Sequence, residues 1–352
     1  MNSAPIERLL TSAISSHAFP AAVVEVGDRK HVIWRQAFGR LAYLPDAPFT
    51  RDDTIFDLAS LTKVIATSTL IMRAVDARVL GVDDRVADRL PLWRGDDRED
   101  VTIRDLLAHA SGLTAYLPFF RDHHGREEFE RAICSLPLEY APRTQSIYSD
   151  LGFMLLGFVL EDVHREPLAQ QFARLAADFR LKAEETIAFN PPRAWRERTA
   201  PTELDLWRGR LLQGEVHDEN TWALGGAAGH AGLFGTASAV GAFARLMLDG
   251  LHGGHALAQP DTIAMFSQRS AVPGSSRALG WDTMLPTSSC GTRLSPRAIG
   301  HTGFTGTSLW IDPELDLYIV LLTNRVHPAR DNNRIQCVRR NVHDAIVEAV
   351  PA

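Results

Sequence analysis

Apolar positions along the chain first follow a helical spacing, over residues 4–18, and then two strand-like patterns, PAAVVEVG and HVIWRQAFG. The glycine and aspartate at 27 and 28 separate these two segments and predict a tight turn between antiparallel strands. Helical spacing returns over residues 61–79, with Ser60 at the entrance of the predicted helix. A strand hairpin and a buried helix are therefore expected in the amino-terminal part of the chain.

The middle of the chain predicts mainly helices. VTIRDLLAHASGL predicts a helix ending near Gly112, DLGFMLLGFVLEDV a helix opened by Asp150, and residues 236–248 a further helix. The uncharged run 221–244 is long enough to span a bilayer, but its six glycines and His230 indicate a loop followed by a helix.

The strand pattern returns near the end of the chain, in LGWDTML, SLWIDP and LDLYIVLLTN, and residues 332–350 predict a closing helix. Strands at both ends with helices between them predict an α/β fold of the α+β type, in which a helical domain is inserted. The expected division is an α/β part over 1–80, a mainly helical domain over 81–265 and the second α/β part over 266–352.

Composition excludes several functional classes. With 45% hydrophobic and 23% charged residues the chain can bury a core, and its net charge of −6 with dispersed basic residues argues against nucleic-acid and membrane partners. Glu7 and Arg8 interrupt any signal-peptide core, and the three cysteines fit a reducing compartment, so we expect a cytoplasmic protein, or a periplasmic or secreted one if a leader has been removed. The sequence carries no expectation for oligomeric state.

Lys63 attracts attention because only three of the 37 basic residues are lysines. In the segment DLASLTK it follows Ser60 at i, i+3, which places both side chains on one face of a helix. A lysine can lose its proton when desolvated, whereas an arginine cannot, so Lys63 could activate the Ser60 hydroxyl. The alternative is that Ser60 simply caps the helix and Lys63 is solvated.

Two later segments favour a catalytic role for Ser60 and Lys63 over a simple helix cap. Tyr148-Ser149-Asp150 opens a predicted helix, and His301-Thr302-Gly303 precedes a predicted strand. With SLTK, in this order, they resemble the three signatures of the penicillin-recognising serine hydrolases, which include class C β-lactamases and low-molecular-weight penicillin-binding proteins. The segments LLAHASGL and AGLFGTASAVGAFARLML support the resemblance. It implies a β-lactamase/transpeptidase-like fold, with an antiparallel sheet flanked by terminal helices.

The resemblance also implies roles for individual residues. Ser60 would attack a carbonyl and become acylated, while Lys63 and Tyr148 would move the proton, the phenol having a pKa lowered by the nearby cation. The backbone N–H groups of Ser60 and Phe304 would form the oxyanion hole. Asp150, His301, Thr302 and Gly303 would bind substrate, and no metal or cofactor is expected.

Two positions depart from the common family pattern. His301 stands where many members have a lysine, and a histidine that is mostly neutral weakens the expected selection for an anionic group. Asp150 stands where β-lactamases usually have asparagine. An ionised carboxylate cannot donate to a substrate carbonyl, so efficient β-lactam hydrolysis is not expected, and its charge should raise the Lys63 pKa.

The combination of these motifs with VHDEN at 216–220 looks most like a subgroup that contains N-acetylmuramoyl-L-alanine amidases of muropeptide salvage and related esterases. His217 and His230 would then hold a polar substrate, or else be ordinary loop residues. The resemblance implies amide hydrolysis of muramyl or D-alanyl peptides. Alternatives are a carboxylesterase or acyltransferase, a weak β-lactamase, and a sensor that binds without turnover. The pairs 123–124 and 252/255 match no metal-ligand motif, so no metal site is expected.

Overall fold

Eleven α-helices and eleven strands form within residues 1–350, the part of the chain that the computed structural model describes. The helices are α1 (Ala4–Ser15), α2 (Thr69–Asp76), α3 (Val86–Arg89), α4 (Ile103–Leu107), α5 (Gly125–Ser135), α6 (Asp150–His164), α7 (Leu168–Ala177), α8 (Glu219–Ala223), α9 (Ala237–Leu251), α10 (Pro260–Ser267) and α11 (Ile335–Ala349). The strands are β1 (Ala21–Gly27), β2 (Val32–Gly39), β3 (Phe56–Asp57), β4 (Ile187–Phe189), β5 (Leu204–Asp205), β6 (Arg210–Leu211), β7 (Leu233–Gly235), β8 (Asp282–Thr283), β9 (Ile299–Thr302), β10 (Ser308–Asp312) and β11 (Leu317–Thr323). A π-helix (Lys63–Ser68) and two 3₁₀-helices (Phe119–Arg121 and Arg193–Arg198) complete the set.

The predicted antiparallel sheet is present. Six strands pair in the order β2-β1-β11-β10-β9-β8, and every pairing is antiparallel. The central pairing sets Val24 opposite Leu321, so the amino-terminal hairpin is completed by the carboxyl-terminal strands. The chain ends thus build one sheet together, as the sequence indicates.

Two hydrophobic cores lie on the two faces of this sheet. Because alternate residues of a strand point to opposite faces, Ala21 and Val23 join one core while Ala22 and Val24 join the other. The terminal helices α1 and α11 pack together over the second core. On the other face α9 packs against β1 and β11, and the main core continues into the helical part of the molecule. The expected terminal helices therefore flank the sheet.

The helix predicted to end near Gly112 is shorter than expected. It begins at the Thr102 cap, whose side chain accepts from Asp105 N, and ends as α4 at Leu107. His109 adopts a φ of 55°, in the left-handed region, which stops the helix, and the Ala110 N–H bonds the Asp105 carbonyl across the turn. Because the helix ends early, the His109 ring can lie against that of Tyr148.

The segment that carries Ser60 is fixed by a second, three-stranded sheet. β3 pairs with β7, which also pairs with β4, and the chain passes from β3 through a turn at Ser60 into the π-helix and α2. β7 lies inside the run 221–244, so that run contains a short strand besides the predicted loop and helix. Within residues 1–350 no helix has the length and apolar character of a membrane span. The division of the chain into the parts 1–80, 81–265 and 266–352 stays a prediction.

Candidate active site

Ser60 stands on a constrained turn. Ala59, just before it, has a φ of 46°, a left-handed conformation that non-glycine residues adopt at a cost of about 1 kcal/mol or more. The buried Asp57 carboxylate holds this turn by accepting from the Ala59 N–H at 2.8 Å. The Thr62 hydroxyl donates to the Ala59 carbonyl at 2.6 Å. Local hydrogen bonds thus sustain the strained backbone that presents the Ser60 hydroxyl.

Lys63 is fully buried and reaches back to Ser60. Its Nζ donates to Ser60 Oγ at 2.9 Å, to Asp150 Oδ1 at 2.7 Å and to the His230 carbonyl at 3.1 Å. The Ser60 hydroxyl therefore bonds a side chain, which disfavours the alternative of a simple helix cap. Burial lowers the lysine pKa, but the charge of Asp150 and then Tyr148 outweigh it, so the Lys63 pKa lies above its usual value. The expected effect of Asp150 is confirmed.

Tyr148 covers the lysine. Its ring centroid lies 4.8 Å from Lys63 Nζ, and the residue is half-buried. Burial raises the Tyr148 pKa above its usual value, and the opposing effect of Lys63 does not cancel it. The expectation of a lowered tyrosine pKa is therefore wrong in direction, because desolvation of the phenolate exceeds the attraction of the cation.

His109 supports Tyr148 from behind. Its Nδ1 accepts from the Ser149 N–H at 3.0 Å, and the two rings lie 4.6 Å apart. Burial, together with Arg277 and Lys63, lowers the His109 pKa well below 6.5, so the ring is neutral. Sequence reasoning used LLAHASGL only as a family-like segment and missed this residue, although a histidine in an otherwise small and apolar stretch was the available signal.

The end of β9 carries the motif His301-Thr302-Gly303, which lies against the turn at Ser60. His301 Nδ1 pairs with the Thr302 carbonyl at 2.9 Å, so Nδ1 carries the proton, and the buried Nε2 has no partner within residues 1–350. Burial and then Arg277 and Lys63 lower the His301 pKa well below 6.5, which confirms a neutral side chain at this position. A neutral ring with a free Nε2 can accept one hydrogen bond from a bound group.

Gly303 allows a close approach of two backbones. A Cβ built there would lie 2.6 Å from the Leu58 carbonyl oxygen and 2.1 Å from Thr307 Oγ1, closer than real contacts permit. Two hydroxyls fasten the same junction: Thr305 donates to the Asp57 carbonyl at 2.7 Å and Thr307 to the Leu58 carbonyl at 3.0 Å. The loop after β9 is thus locked to the turn that carries Ser60.

The backbone N–H groups of Ser60 and Phe304 are both free of hydrogen bonds to residues 1–350. They belong to the two segments that Gly303 and the threonine hydroxyls hold together. Phe304 is half exposed, and its ring faces that of His217 at a centroid separation of 5.7 Å. Two unpaired donors beside a serine hydroxyl can stabilise a developing oxyanion.

His217 and His230 both line the cavity, and both carry structural bonds. The His217 N–H donates to Asp57 Oδ2 at 2.7 Å and its Nε2 pairs with Glu203 at 2.8 Å. His230 Nε2 pairs with Asp218 at 2.9 Å, while its buried Nδ1 has no partner within residues 1–350. The loop 216–220 is therefore an ordered wall of the cavity and not a solvated turn.

Most of these residues line one cavity of about 550 Å³, among them Ser60, Tyr148, Asp150 and the segment 301–304. Asp218, Glu219 and Tyr116 also line it, as do arginines that sequence reasoning missed: Arg277, Arg325 and Arg339. In a chain this rich in arginine, no sequence signal marks these three. The cavity thus presents both carboxylates and guanidinium groups.

Comparison with known proteins identifies the family of the chain. The beta-lactamase family model matches residues 6–340, nearly the whole length. The chain belongs to the beta-lactamase family. Together with its named relatives, this makes the protein a serine hydrolase with a β-lactamase/transpeptidase-like fold, as the motifs predict.

Two curated relatives illustrate the family. The chain is 32% identical over 349 residues to the "N-acetylmuramyl-L-alanine amidase" of Bacillus subtilis (strain 168), covering 88% of this chain and 78% of the relative. It is 31% identical over 315 residues to a "Putative D-alanyl-D-alanine carboxypeptidase" of Salmonella gallinarum (strain 287/91 / NCTC 13346), covering 80% and 72%. Both named activities are hydrolytic.

Solved structures share the fold at lower identity. EstCE1, described as a hydrolase with promiscuous acyltransferase activity, superposes with a TM-score of 0.77 at 23% identity and covers 98% of both chains. A class C beta lactamase from Rhodobacter sphaeroides gives a TM-score of 0.74 at 20% identity over 97% of this chain and 99% of that one. The fold of this chain is thus shared with both of these proteins.

Proposed function

We propose that the protein is a serine amidase that hydrolyses amide bonds of muramyl peptides through an acyl-enzyme on Ser60. The observation that carries this proposal is the Lys63 ammonium, bonded at once to Ser60 Oγ and Asp150 Oδ1 beside the Tyr148 ring. The amide substrate class is supported by the amidase relative at 32% identity and by the polar wall around His217.

In the first step the Ser60 oxygen attacks the substrate carbonyl carbon. The Lys63–Tyr148 pair has lost one proton before this step, so the Tyr148 oxygen can accept the proton of the Ser60 hydroxyl. The carbonyl oxygen becomes an oxyanion and accepts from the N–H groups of Ser60 and Phe304. Each such donor can stabilise the transition state by roughly 3 kcal/mol.

Collapse of this intermediate breaks the carbon–nitrogen bond. Tyr148 returns the proton to the leaving nitrogen, and a free amine departs while the acyl group stays on Ser60. The raised tyrosine pKa suits this step, because a phenol that holds its proton firmly is present in the acid form at neutral pH. Asp150 keeps Lys63 charged and aligned throughout.

Water completes the cycle. Tyr148 takes a proton from the water molecule, the water oxygen attacks the acyl carbon, and the Ser60 oxygen leaves and recovers the proton. The products are a carboxylic acid and the amine, with the enzyme restored. All proton transfers run through groups already within the Ser60–Lys63–Tyr148 cluster.

An esterase is the second candidate. Asp150 accepts from Lys63 and offers no donor to an amide carbonyl, whereas an ester needs less help at its leaving group. The same acyl-enzyme would serve, so the two candidates differ in the substrate alone.

The test is a substrate panel with purified muramyl peptides, p-nitrophenyl acetate and nitrocefin. The wild type should release peptide from muramyl peptides, and Ser60→Ala should lose at least about 10⁴-fold of the rate. Ser135→Ala, an exposed serine on α5, is the control and should keep full activity. Rapid ester turnover with intact muramyl peptides would exclude the amidase, and intact-mass detection of an acylated Ser60 without turnover would indicate a sensor.

A further inference from the structure

The Phe304 side chain places an exposed aromatic ring in a polar cavity. The residue is 51% exposed, and its backbone N–H is one of the two free donors beside Ser60. Most of the described residues that line the cavity are charged or polar, Asp218, Glu219 and Arg330 among them. Because exposing a large apolar surface to water is unfavourable, a ring left open at a reaction centre indicates a binding surface.

Two neighbours hold this ring in one orientation. The Arg325 guanidinium lies 4.3 Å from the ring centroid, and its Nε donates to the Phe304 carbonyl at 2.7 Å. The His217 ring lies offset from it, at a centroid separation of 5.7 Å and an interplanar angle of 28°. Since Arg325 covers one face while half of the residue stays exposed, the other face of the Phe304 ring opens to the cavity.

Both neighbours are themselves anchored. Arg325 is 5% exposed and also donates to the carbonyls of Arg330 at 3.0 Å and Asn332 at 2.8 Å. His217 is 4% exposed and is hydrogen-bonded at its backbone N–H and at its ring. Because neither side chain can turn without breaking these bonds, the Phe304 ring is preorganised, and a ligand that stacks on it orders little of the protein.

The Phe304 ring borders the acyl part of a bound substrate. A residue that protonates the leaving group must face it, so the leaving group lies against Tyr148. Within residues 1–350 no side chain makes ring or cation contacts with both Tyr148 and Phe304, so the two rings border different parts of the cavity. The remaining part of the substrate, the acyl group, therefore lies on the Phe304 side.

The chemistry of a pyranose ring matches this surface. The C–H groups on one face of a sugar carry partial positive charge and are attracted to the negative face of an aromatic ring. The hydroxyls at the sugar edge need both acceptors and donors, and the cavity presents carboxylates of Asp218 and Glu219 together with guanidinium groups. A plain alkyl chain would contact the ring but would leave these polar groups desolvated without partners, at a cost in free energy.

The length of the acyl group fits as well. In a muramyl amide one carbon and one ether oxygen join the reacting carbonyl to the sugar ring. This linker is as short as the Cα and Cβ that join the Phe304 nitrogen to its own ring. A carbonyl bound to the Phe304 N–H therefore brings the sugar within reach of the Phe304 side chain.

We propose that the Phe304 ring is the stacking platform of a subsite for a pyranose ring in the acyl part of the substrate. This inference rests on the proposed acyl-enzyme reaction at Ser60 and adds the residue that selects the sugar. Phe304 then acts twice, because its N–H stabilises the oxyanion while its side chain positions the sugar attached to the same carbonyl.

The subsite is tested with three amides of L-alanine that share one alkoxypropanoyl group: N-acetylmuramoyl-L-alanine, 2-cyclohexyloxypropanoyl-L-alanine and 2-methoxypropanoyl-L-alanine. The cyclohexyl compound keeps the ring and lacks the hydroxyls, and the methoxy compound lacks the ring. Release of L-alanine by the wild type should give a kcat/KM for the sugar roughly tenfold or more above that for cyclohexyl, as expected for one or two added hydrogen bonds. An equal or higher value for cyclohexyl would overturn the proposal, since the subsite would then be merely apolar.

Variants then assign the stacking. Phe304→Leu should reduce the ratio of kcat/KM for the sugar to that for the methoxy compound by roughly three- to tenfold, and Phe304→Tyr should retain the ratio. The control is Phe49→Leu, because Phe49 is 66% exposed, has the Arg40 guanidinium 3.8 Å from its ring centroid and lies outside the cavity. Phe49→Leu should keep the wild-type ratio. A folded Phe304→Leu protein with an unchanged ratio would count against the platform.

Binding separates this proposal from the reaction itself. When N-acetylmuramoyl-L-alanine is added to Ser60→Ala protein, the aromatic ring current should shift the NMR signals of the sugar protons upfield, and Phe304→Leu in the same background should abolish the shift. Failure to bind, or binding without this shift, rejects the subsite even if Ser60 is the nucleophile. An upfield shift that depends on Phe304 supports the subsite even if the wild type releases no L-alanine, a result that would disprove the amidase.

Discussion

The Asp150 carboxylate lies 2.7 Å from the Lys63 ammonium. Lys63 is the first residue of the π-helix and Asp150 the first residue of α6, and these two helices contact each other. This ion pair replaces the amide that many β-lactamases present at the same position. Because an ion pair stabilises the protonated lysine, it shifts the ionisation on which the proposed proton transfer depends.

Asp150→Asn should move the pH–rate profile to lower pH. The Asp150 charge raises the pKa of both Lys63 and Tyr148, and the active form needs this pair to have lost one proton. Removing the charge lowers both pKa values, so the rising limb of kcat/KM for p-nitrophenyl acetate should appear earlier as the pH increases. Asp162→Asn, an exposed change on the same helix, is the control. An unmoved or alkaline-shifted limb would contradict the account.

The same variant should turn over nitrocefin faster than the wild type. The asparagine amide can donate to a substrate carbonyl, which the carboxylate cannot do. The measurement is the initial rate of nitrocefin hydrolysis, with circular dichroism to confirm the fold. A lower or unchanged rate in a folded protein would show that the missing donor does not limit β-lactam hydrolysis.

His301 should stay neutral across the range in which histidines normally titrate. Burial and then the charges of Arg277 and Lys63 push its pKa well below 6.5. In NMR spectra its ring resonance, assigned by comparison with His301→Gln, should not shift between pH 8 and about 6. A midpoint close to 6.5 would contradict the lowered pKa, because the ring would then gain its proton in the usual range.

Gly303→Ala should damage both activity and stability. The added Cβ would meet the Leu58 carbonyl and Thr307 Oγ1, and forcing such contacts costs roughly 1–3 kcal/mol. We expect a lower Tm and a large loss of kcat, since the Phe304 N–H would move relative to Ser60. Gly152→Ala on α6 is the matched control, because a Cβ there finds its nearest atom at 3.5 Å. Full activity of Gly303→Ala would refute the tight junction.

Glu203→Gln should alter the acid stability of the protein. Although burial opposes it, hydrogen bonding to His217 and Arg330 lowers the Glu203 pKa from 4.5 to about 2. A lowered folded-state pKa stabilises the protein above pH 4.5, and this contribution disappears as the pH falls toward 2. The wild type should therefore exceed Glu203→Gln in Tm at pH 6, with the difference shrinking below pH 4.5. Glu127→Gln, at an exposed ion pair, should show no such trend.

Local patterns predicted the elements that depend on local chemistry. The hairpin β1–β2, the helix after Ser60 and the helix opened by Asp150 follow from spacing and caps within a dozen residues. The helix α4 was predicted too long, because its end is set by the left-handed His109 and not by the glycine three residues later. Spacing cannot show which residue takes a positive φ.

Only those residues of the active site that belong to recognisable motifs could be predicted from the sequence. Ser60, Lys63, Tyr148 and His301 are recognisable in sequence. In the structure Ser60, Tyr148 and His301 line one cavity, and the buried Lys63 bonds Ser60 Oγ. The direction of the Tyr148 pKa shift could not be predicted, because desolvation depends on neighbours that are distant in the chain. Arg325 and Arg339 were missed for a related reason: only the folded chain shows that these two arginines line the cavity.

The threonine bonds from 305 and 307 to the backbone at 57 and 58 join residues about 250 positions apart in sequence. The serine hydroxyl and its two backbone donors therefore cannot coexist until the last strands have been synthesised and paired with the first. A nascent or carboxyl-terminally truncated chain would carry every residue of the first two motifs and yet be inert. Hydrolytic activity thus requires the two ends of the polypeptide to have met.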